Sequence, residues 1–145
     1  MEEKINALIE KGVVPTTQRL IVFQYLEGSN AHPTADNIYN ALKKRHPIFS
    51  RATVYNTLFI FKEAGIIQEL TLDKKEVHYD PNPVPHHHFY CKVCKDILNI
   101  DIECSVAKKR EIHGHKVEDV QSTFYGVCKR CLKNEQCGKG IRFEV

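Results

Sequence analysis

The chain has 145 residues, 42% of them hydrophobic and 27% charged, with a formal net charge of +3 at pH 7. This composition is typical of a globular protein, and no apolar run approaches the roughly 18 residues of a membrane-spanning helix. The acidic, amphipathic N-terminus does not resemble a secretion signal, which predicts a cytoplasmic protein without a membrane partner. The small positive charge permits nucleic-acid binding without indicating it.

The first half of the chain predicts four helices, because apolar residues recur there at helical spacing. Their expected bounds are Ile5 to Gly12, Thr17 to Glu27, Thr34 to His46, and Ser50 to Gly65. Two short strands are expected next, Ile66 to Leu72 and Glu76 to Tyr79, joined by a charged turn at 73–75. Helices followed by a two-stranded ribbon predict a winged-helix domain over residues 1–80.

A proline-rich stretch, DPNPVP, separates this domain from the rest of the chain. It favours extended backbone over helix or sheet, so residues 81–85 are predicted to form an interdomain hinge. Beyond it we expect a strand with Leu98, Ile100 and Ile102 on its apolar face, a helix from Val106 to His113, and a strand from Lys116 to Val127. Residues 86–145 are therefore predicted to form a small α+β domain.

Two Cys-x-x-Cys pairs, Cys91 with Cys94 and Cys128 with Cys131, are a strong chemical signal. In a reducing compartment such pairs are typical of metal sites or redox pairs. Brought together, they present four thiolates in the tetrahedral arrangement that Zn²⁺ takes in closed structural sites. We predict a structural zinc that stabilises a small domain. A dithiol redox pair and unliganded core cysteines are the alternatives.

A second set of candidate ligands lies in the histidine run ahead of the first cysteine pair. His86 and His88 alternate, so in an extended segment both rings point the same way. Asp80 lies just upstream, and Asn99 or Asp101 on the next predicted strand adds an oxygen. Imidazole and oxygen ligands together suit Fe²⁺, Mn²⁺, Co²⁺ or Zn²⁺. The sequence thus predicts a second metal site, with a solvated polar segment as the alternative.

Four motifs follow one another along the chain: AHPTADNIYNAL at 31–42, SRATVYNTLFIFKEAGII at 50–67, HHHFYCKVC at 86–94 and YGVCKRC at 125–131. Together they resemble the ferric uptake regulator family, and most closely its peroxide-sensing branch. The resemblance covers nearly the whole chain. It implies an N-terminal winged-helix DNA-binding domain, a C-terminal dimerisation domain, a structural zinc, and a regulatory metal that bridges the two domains.

The resemblance also implies roles for individual residues. The structural zinc would be bound by Cys91, Cys94, Cys128 and Cys131. The regulatory Fe²⁺ or Mn²⁺ would be bound by His32, Asp80, His86, His88 and Asn99, with His32 and His86 as the oxidation-sensitive ligands. DNA contacts would come from Arg19 and from a recognition helix, Ser50 to Ala64, through Arg51, Thr53, Tyr55, Asn56 and Thr57.

Two positions depart from the family pattern. Asn99 replaces an acidic residue, which puts the strength of a fifth ligand in question, and Asp101 is the alternative source of that oxygen. Val120 stands where iron-sensing members carry a histidine for an additional site, so that site is expected to be absent. Cys104 and Cys137 belong to no Cys-x-x-Cys pair and are interpreted as ordinary residues.

These observations predict a homodimeric, metal-dependent repressor that binds a palindromic double-stranded DNA operator and responds to hydrogen peroxide. Metal held by both domains would stabilise the one interdomain angle that spaces two recognition helices for the operator. One alternative is a repressor of the same family that responds to iron, zinc or manganese occupancy. Another is a non-heme metalloenzyme, since nitrogen and oxygen ligands with an open position can do redox or hydrolytic work. The sequence offers no nucleophile elbow or phosphate loop in support of an enzyme.

Overall fold

The computed structural model describes residues 1–29, 31–72, 75–103 and 105–133. The chain divides into two compact units, Met1–Pro83 and Val84–Val145. Within the described ranges the first unit contains helices and a two-stranded ribbon, and the second contains a three-stranded sheet, a small hairpin and a short helix. None of the helices in these ranges is long and apolar enough to cross a membrane.

The first unit begins with α1 (Glu2–Glu10), α2 (Thr17–Glu27), α3 (Ala35–Lys43) and α4 (Arg51–Glu63). The hydroxyls of Thr16, Thr34 and Ser50 cap the last three helices by accepting hydrogen bonds from main-chain N–H groups three residues further on. These caps satisfy donors that the start of a helix leaves unpaired. The four predicted helices are confirmed, although the third ends at Lys43, before the expected stop at His46.

All four helices contribute to the core of the first unit, whose most buried side chains are those of Leu8, Val22, Leu26, Ile38, Val54, Leu58 and Phe61. The rings of Phe23 and Phe61 meet edge to face with their centroids 6.0 Å apart. Because the apolar residues of α4 recur on one side, the opposite side faces solvent, where Tyr55 is 50% exposed and Phe59 is 60% exposed. Helix α4 therefore has an outward face that takes no part in the core.

A two-stranded antiparallel ribbon, β1 (Gln68–Leu70) and β2 (His78–Asp80), follows α4. Gly65, with a φ of +65°, turns the chain out of the helix toward this ribbon. Gln68 lies opposite Asp80 in the register. Helices followed by a ribbon confirm the predicted winged helix. Asp73 and Lys74 of the predicted turn lie outside the described residues.

The second unit contains β3 (His87–Cys91), β4 (Ile97–Ile100), β5 (Glu111–Ile112), β6 (His115–Lys116), β7 (Thr123–Gly126) and α5 (Lys129–Leu132). Strand β3 is central in a three-stranded sheet, antiparallel to β4 and parallel to β7. Strands β5 and β6 form a separate hairpin. This arrangement places the ends of β3 and β7 side by side, just before the two cysteine pairs.

The predicted helix from Val106 to His113 is wrong. The chain instead forms one 3₁₀ turn at Ser105–Lys108 and then the β5–β6 hairpin, which reverses at His113 and Gly114 with φ of 51° and 82°. Residues with positive φ suit a two-residue hairpin turn. The described residues also do not bury the apolar side of this helical pattern, since Ile112 is 37% exposed.

Two further expectations for the second unit need correction. The predicted strand Lys116 to Val127 is interrupted, because β6 ends at Lys116 and β7 begins only at Thr123. The predicted apolar face of β4 is covered only in part, because Leu98 is exposed and Ile100 is half-buried, whereas Ile97, opposite Tyr90, is buried. Tyr90 is itself buried in β3, so the pairing register determines which side of β4 is covered. Cys104 and Cys137 lie outside the described residues.

Candidate metal centres and nucleic-acid interface

The four paired cysteines come together in the second unit, with Cys91 at the end of β3 and Cys128 and Cys131 at the start of and within α5. All four are buried, and their sulfur atoms lie within 4.8 Å of one another. The Sγ–Sγ distances are 3.8 Å for Cys91 with Cys131 and for Cys94 with Cys128. A tetrahedron with Zn–S bonds of about 2.3 Å has edges of about 3.8 Å, so this donor set fits zinc.

Hydrogen bonds from main-chain N–H groups favour the metal-binding form of one of these sulfur atoms. The N–H groups of Cys94 and Cys128 donate to Cys91 Sγ at 3.5 and 3.3 Å. Burial opposes ionisation of the Cys91 thiol, but hydrogen bonds from the main chain of Cys128, Cys94 and Val93 and from the Cys94 side chain outweigh it and lower its pKa from 9.0 to about 6. The thiolate, which is the form that binds metal, is thus favoured at neutral pH.

A glycine lets the two cysteine pairs approach each other. Gly126 lies opposite Cys91 in the parallel pairing of β3 with β7. A Cβ atom at Gly126 would lie 3.2 Å from the ring of Phe89, tighter than an ordinary contact. The carbonyl of Gly126 accepts a hydrogen bond from Lys92 N at 2.8 Å, within the first cysteine pair. Close strand packing at this point therefore brings Cys128 to the first pair.

The first unit holds two of the predicted regulatory ligands beside each other. His32 precedes α3, Asp80 ends β2, and both side chains are buried. His32 Nε2 lies 3.2 Å from Asp80 Oδ2, and Asp80 Oδ1 accepts a hydrogen bond from Asn82 N at 2.8 Å. Two atoms that bind one metal at about 2.1 Å and at right angles are about 3.0 Å apart, so this pair can act as adjacent ligands.

The second unit holds the other three predicted ligands. The rings of His86 and His88 lie on the same side of the extended segment, with centroids 4.3 Å apart. His86 Nδ1 donates to the carbonyl of Val84 at 2.7 Å, so a metal would have to be bound through the other ring nitrogen, Nε2. Asn99 Oδ1 lies 3.1 Å from that Nε2, a spacing that again suits two adjacent ligands.

Two residues close to these candidate ligands, Asp101 and His87, are not arranged in the same way. Asp101, the alternative oxygen donor, lies beyond the end of β4, is exposed, and lines the same cleft as His86. His87 is buried; its Nδ1 accepts a hydrogen bond from Ser122 N at 3.2 Å, and its ring meets Phe124 edge to face. An imidazole that accepts at Nδ1 carries its proton at Nε2, so His87 is not arranged as a ligand.

Sequence reasoning missed His78, which is buried in β2 and hydrogen-bonded to the carbonyl of His32. The available signal was its position two residues before Asp80, since alternate residues of a strand lie on the same side.

The outward face of α4 presents several of the predicted DNA contacts. Tyr55 and Asn56 are exposed, whereas Thr57 is only 3% exposed. Thr57 faces the core, so we remove it from the set of groove contacts. The hydroxyl of Thr53 lies 2.9 Å from that of Ser50, at the start of the helix.

The two predicted arginine contacts are already held within the first unit. Arg51 forms an ion pair with Asp36 and lies over the ring of Tyr39, 4.7 Å from its centroid. Its side chain nevertheless remains 56% exposed. Arg19 is half-buried and donates from Nη1 to the carbonyl of Val14 at 2.9 Å. Both guanidinium groups therefore have partners within the first unit.

A winged helix, a four-sulfur centre and imidazole–oxygen donor sets together define a winged-helix metalloprotein. The sequence profile of the ferric uptake regulator family matches residues 10–125. The chain is 38% identical over 141 residues to the peroxide operon regulator of Bacillus subtilis (strain 168), an alignment that covers 93% of this chain and 95% of that protein. The chain therefore belongs to the ferric uptake regulator family, whose members are transcriptional regulators.

Solved structures show the same relationship. The ferric uptake regulator of Francisella tularensis, determined with iron, has a TM-score of 0.71 and 28% identity, and the match covers 83% of this chain and 96% of that one. The peroxide-sensing regulator PerR of Streptococcus pyogenes has a TM-score of 0.51 and 32% identity, with coverage of 90% and 91%. These likenesses agree with the mixed helix and sheet architecture of both units.

Proposed function

We propose that the protein is a metal-dependent transcriptional repressor that binds DNA as a homodimer and releases it when hydrogen peroxide oxidises a histidine of its regulatory metal site. The observation that carries the proposal is the presence of two chemically distinct donor sets. One is a buried cluster of four sulfur atoms in the second unit. The other donors lack sulfur: an imidazole beside a carboxylate in the first unit, and an imidazole beside an amide in the second. The similarity to a peroxide operon regulator supports the peroxide signal.

We assign Zn²⁺ to the sulfur cluster and Fe²⁺ or Mn²⁺ to a single regulatory centre made of His32, Asp80, His86, His88 and Asn99. The donor chemistry supports this division, since thiolates select zinc and a nitrogen–oxygen set suits iron or manganese. An octahedral ion takes about six donor atoms, and each unit contributes fewer than that. Completion of the shell by both units would favour one relative orientation of the units, and metal binding would thereby be linked to DNA binding.

We assign operator binding to the outward face of α4. Tyr55 and Asn56 are exposed there, and Arg51 lies at its first turn. A helix that enters the major groove reads base edges from its first turns, and arginine binds phosphates or guanine. In a homodimer, two such helices would read the two halves of a palindromic operator.

Oxidation would end repression through the protein's own ligands. Bound iron supplies the redox chemistry that activates peroxide. The ring of His32 or His86 gains one oxygen atom at a C–H carbon, and the second oxygen atom of the peroxide leaves as water. An oxidised ring is a poorer donor, so the two units lose their common ligand set and the operator is released.

The proposal is tested by anaerobic operator binding with Fe²⁺ or with Mn²⁺, before and after hydrogen peroxide below one equivalent. We expect both metals to support binding, and only the iron form to release DNA after peroxide. Mass spectrometry of the released protein should find one added oxygen atom on peptides that contain His32 or His86. The manganese form, treated in parallel, serves as the matched control and should carry no added oxygen there.

Other outcomes of this experiment would indicate a different signal or a different class of protein. Metal-dependent binding that ignores peroxide would indicate a sensor of metal occupancy. Release that follows oxidation of Cys91 or Cys128 would make the zinc thiolates the switch. Repeated turnover of peroxide would indicate an enzyme, whereas a sensor of this kind is consumed after one event.

Asn99 offers a direct test of the regulatory ligand set. Asn99→Asp should tighten Mn²⁺ binding by about fivefold or more, because two opposite unit charges about 4 Å apart attract each other by about 1 to 4 kcal/mol between aqueous and protein-surface conditions. The affinity is measured from the free Mn²⁺ signal in electron paramagnetic resonance. If Asp101 supplies the oxygen instead, Asn99→Asp changes little and Asp101→Asn weakens binding. That result would remove Asn99 from the centre.

A further inference from the structure

His78 is a buried imidazole outside the proposed ligand set. It lies in β2 and is 4% exposed. Its Nδ1 atom lies 2.7 Å from the carbonyl oxygen of His32. A carbonyl oxygen can only accept, so Nδ1 carries the proton and donates it to the main chain of His32. His78 therefore contacts a proposed ligand through the backbone of that ligand.

The main chains of the same two segments are also paired. Tyr79 N donates to the carbonyl of Pro33 at 2.9 Å, and Thr34 forms an antiparallel bridge with His78. Residues 32–34 thus run beside β2, and the side chain of His78 adds a hydrogen bond at the His32 end of this short pairing. The contact joins the start of α3 to the strand that carries Asp80.

As a result, His32 is held at two points. Its ring faces Asp80, with Nε2 at 3.2 Å from Oδ2, and its carbonyl is held by His78. Asp80 lies two residues after His78 in the same strand, so one rigid element determines both positions. A ligand that is ordered before the metal arrives loses less conformational entropy on binding, which raises the affinity of the site.

We infer that His78 is a positioning residue for the regulatory metal, which orders His32 through a hydrogen bond from Nδ1 to the His32 carbonyl and does not bind the ion itself. This inference rests on the proposed function. Residues that hydrogen-bond to the ring or carboxylate of a metal ligand change metal affinity by about 10- to 100-fold when they are replaced, and the contact of His78 acts on the same ligand through its main chain. His78 is expected to have an effect of that size on the affinity for Mn²⁺.

Two nearly isosteric substitutions test the inference. His78→Asn places an amide nitrogen near the Nδ1 position, and His78→Gln places one near the Nε2 position, which faces Glu76 at 3.9 Å. We expect the Asn variant to bind Mn²⁺ like the original protein and the Gln variant to bind it about 10- to 100-fold more weakly. Binding is measured by electron paramagnetic resonance, and thermal unfolding of the protein without regulatory metal is measured in parallel.

The difference in affinity between the Asn and Gln variants separates positioning from plain structural support. A structural role would lower the unfolding temperature of both variants without separating their affinities. Equal affinities in the Asn and Gln variants, whether high or low, would overturn the inference. Nitrogen-15 resonance spectra of the unsubstituted protein provide a measurement that needs no variant. If these spectra show that the His78 ring carries its proton on Nε2 and none on Nδ1, the inference is overturned as well.

A His32→Ala variant separates failure of this inference from failure of the proposed function. If His32→Ala binds Mn²⁺ as tightly as the original protein, the proposed regulatory centre is wrong. If His32→Ala weakens binding and His78→Gln does not, the centre stands and only the role of His78 is lost.

Discussion

Replacement of Cys128 with serine is expected to unfold the second unit and to abolish dimerisation. The four buried cysteines, with Phe89 and Val93 packed against them, form the core cluster of this unit. A structural zinc contributes about 10 to 16 kcal/mol in small zinc domains, as much as the whole stability of a typical domain. Loss of one sulfur ligand should therefore remove zinc and most of the folding free energy together.

Zinc content, circular dichroism and analytical ultracentrifugation would measure this loss. Cys137→Ser is the matched control, since it makes the same chemical change at a cysteine that belongs to neither Cys-x-x-Cys pair, and it should retain zinc and the dimer. A Cys128→Ser protein that remains dimeric with unchanged thermal stability would contradict the role assigned to the four-sulfur centre.

Replacement of His32 with alanine is expected to abolish the stimulation of DNA binding by metal while the fold is retained. His32 and Asp80 are the proposed donors of the first unit, and they lie beside each other at 3.2 Å. Without the His32 ring, Asp80 alone would connect this unit to the regulatory ion. Metal could then no longer favour the conformation that binds the operator.

Tyr55→Ala is the complementary variant for this experiment. Tyr55 is exposed on α4 and belongs to no metal donor set, so its loss should weaken operator binding and leave Mn²⁺ affinity unchanged. Fluorescence anisotropy with labelled operator, with and without Mn²⁺, compares the two variants. Metal-stimulated DNA binding by His32→Ala would rule out a regulatory ion shared by the two units.

Local signals predicted the parts of the fold that local interactions determine. The helix from Thr17 to Glu27 was predicted with both of its ends, and the structure shows that local interactions determine them, since Thr16 caps the start and Gly28 follows the end. The four-cysteine centre was also predictable, since cysteine pairs at fixed spacing have few other uses in a reducing compartment. The same-side placement of His86 and His88 followed from strand periodicity alone.

Features that depend on tertiary packing were not predictable in the same way. The segment after Val106 has a helical pattern, yet its apolar residues stay exposed and the chain forms a hairpin. The burial of Thr57 is a different kind of miss, because Thr57 lies three residues after Val54 and four before Phe61, so helical periodicity already places it on the core side. Its assignment to DNA came from the family resemblance. The role of His78 depends on a hydrogen bond between residues 46 positions apart.

The parallel pairing of β3 with β7 has a consequence for the synthesis of the protein on the ribosome. Strand β3 ends at Cys91, but β7 begins at Thr123 and the last cysteine of the four-sulfur cluster is Cys131. The first unit is complete once Pro83 has emerged, and many of its contacts join helices close in sequence. The sheet of the second unit pairs strands that lie far apart in the sequence, and such contacts form slowly. The nascent chain is therefore expected to fold its N-terminal unit first and to capture zinc only near the end of translation.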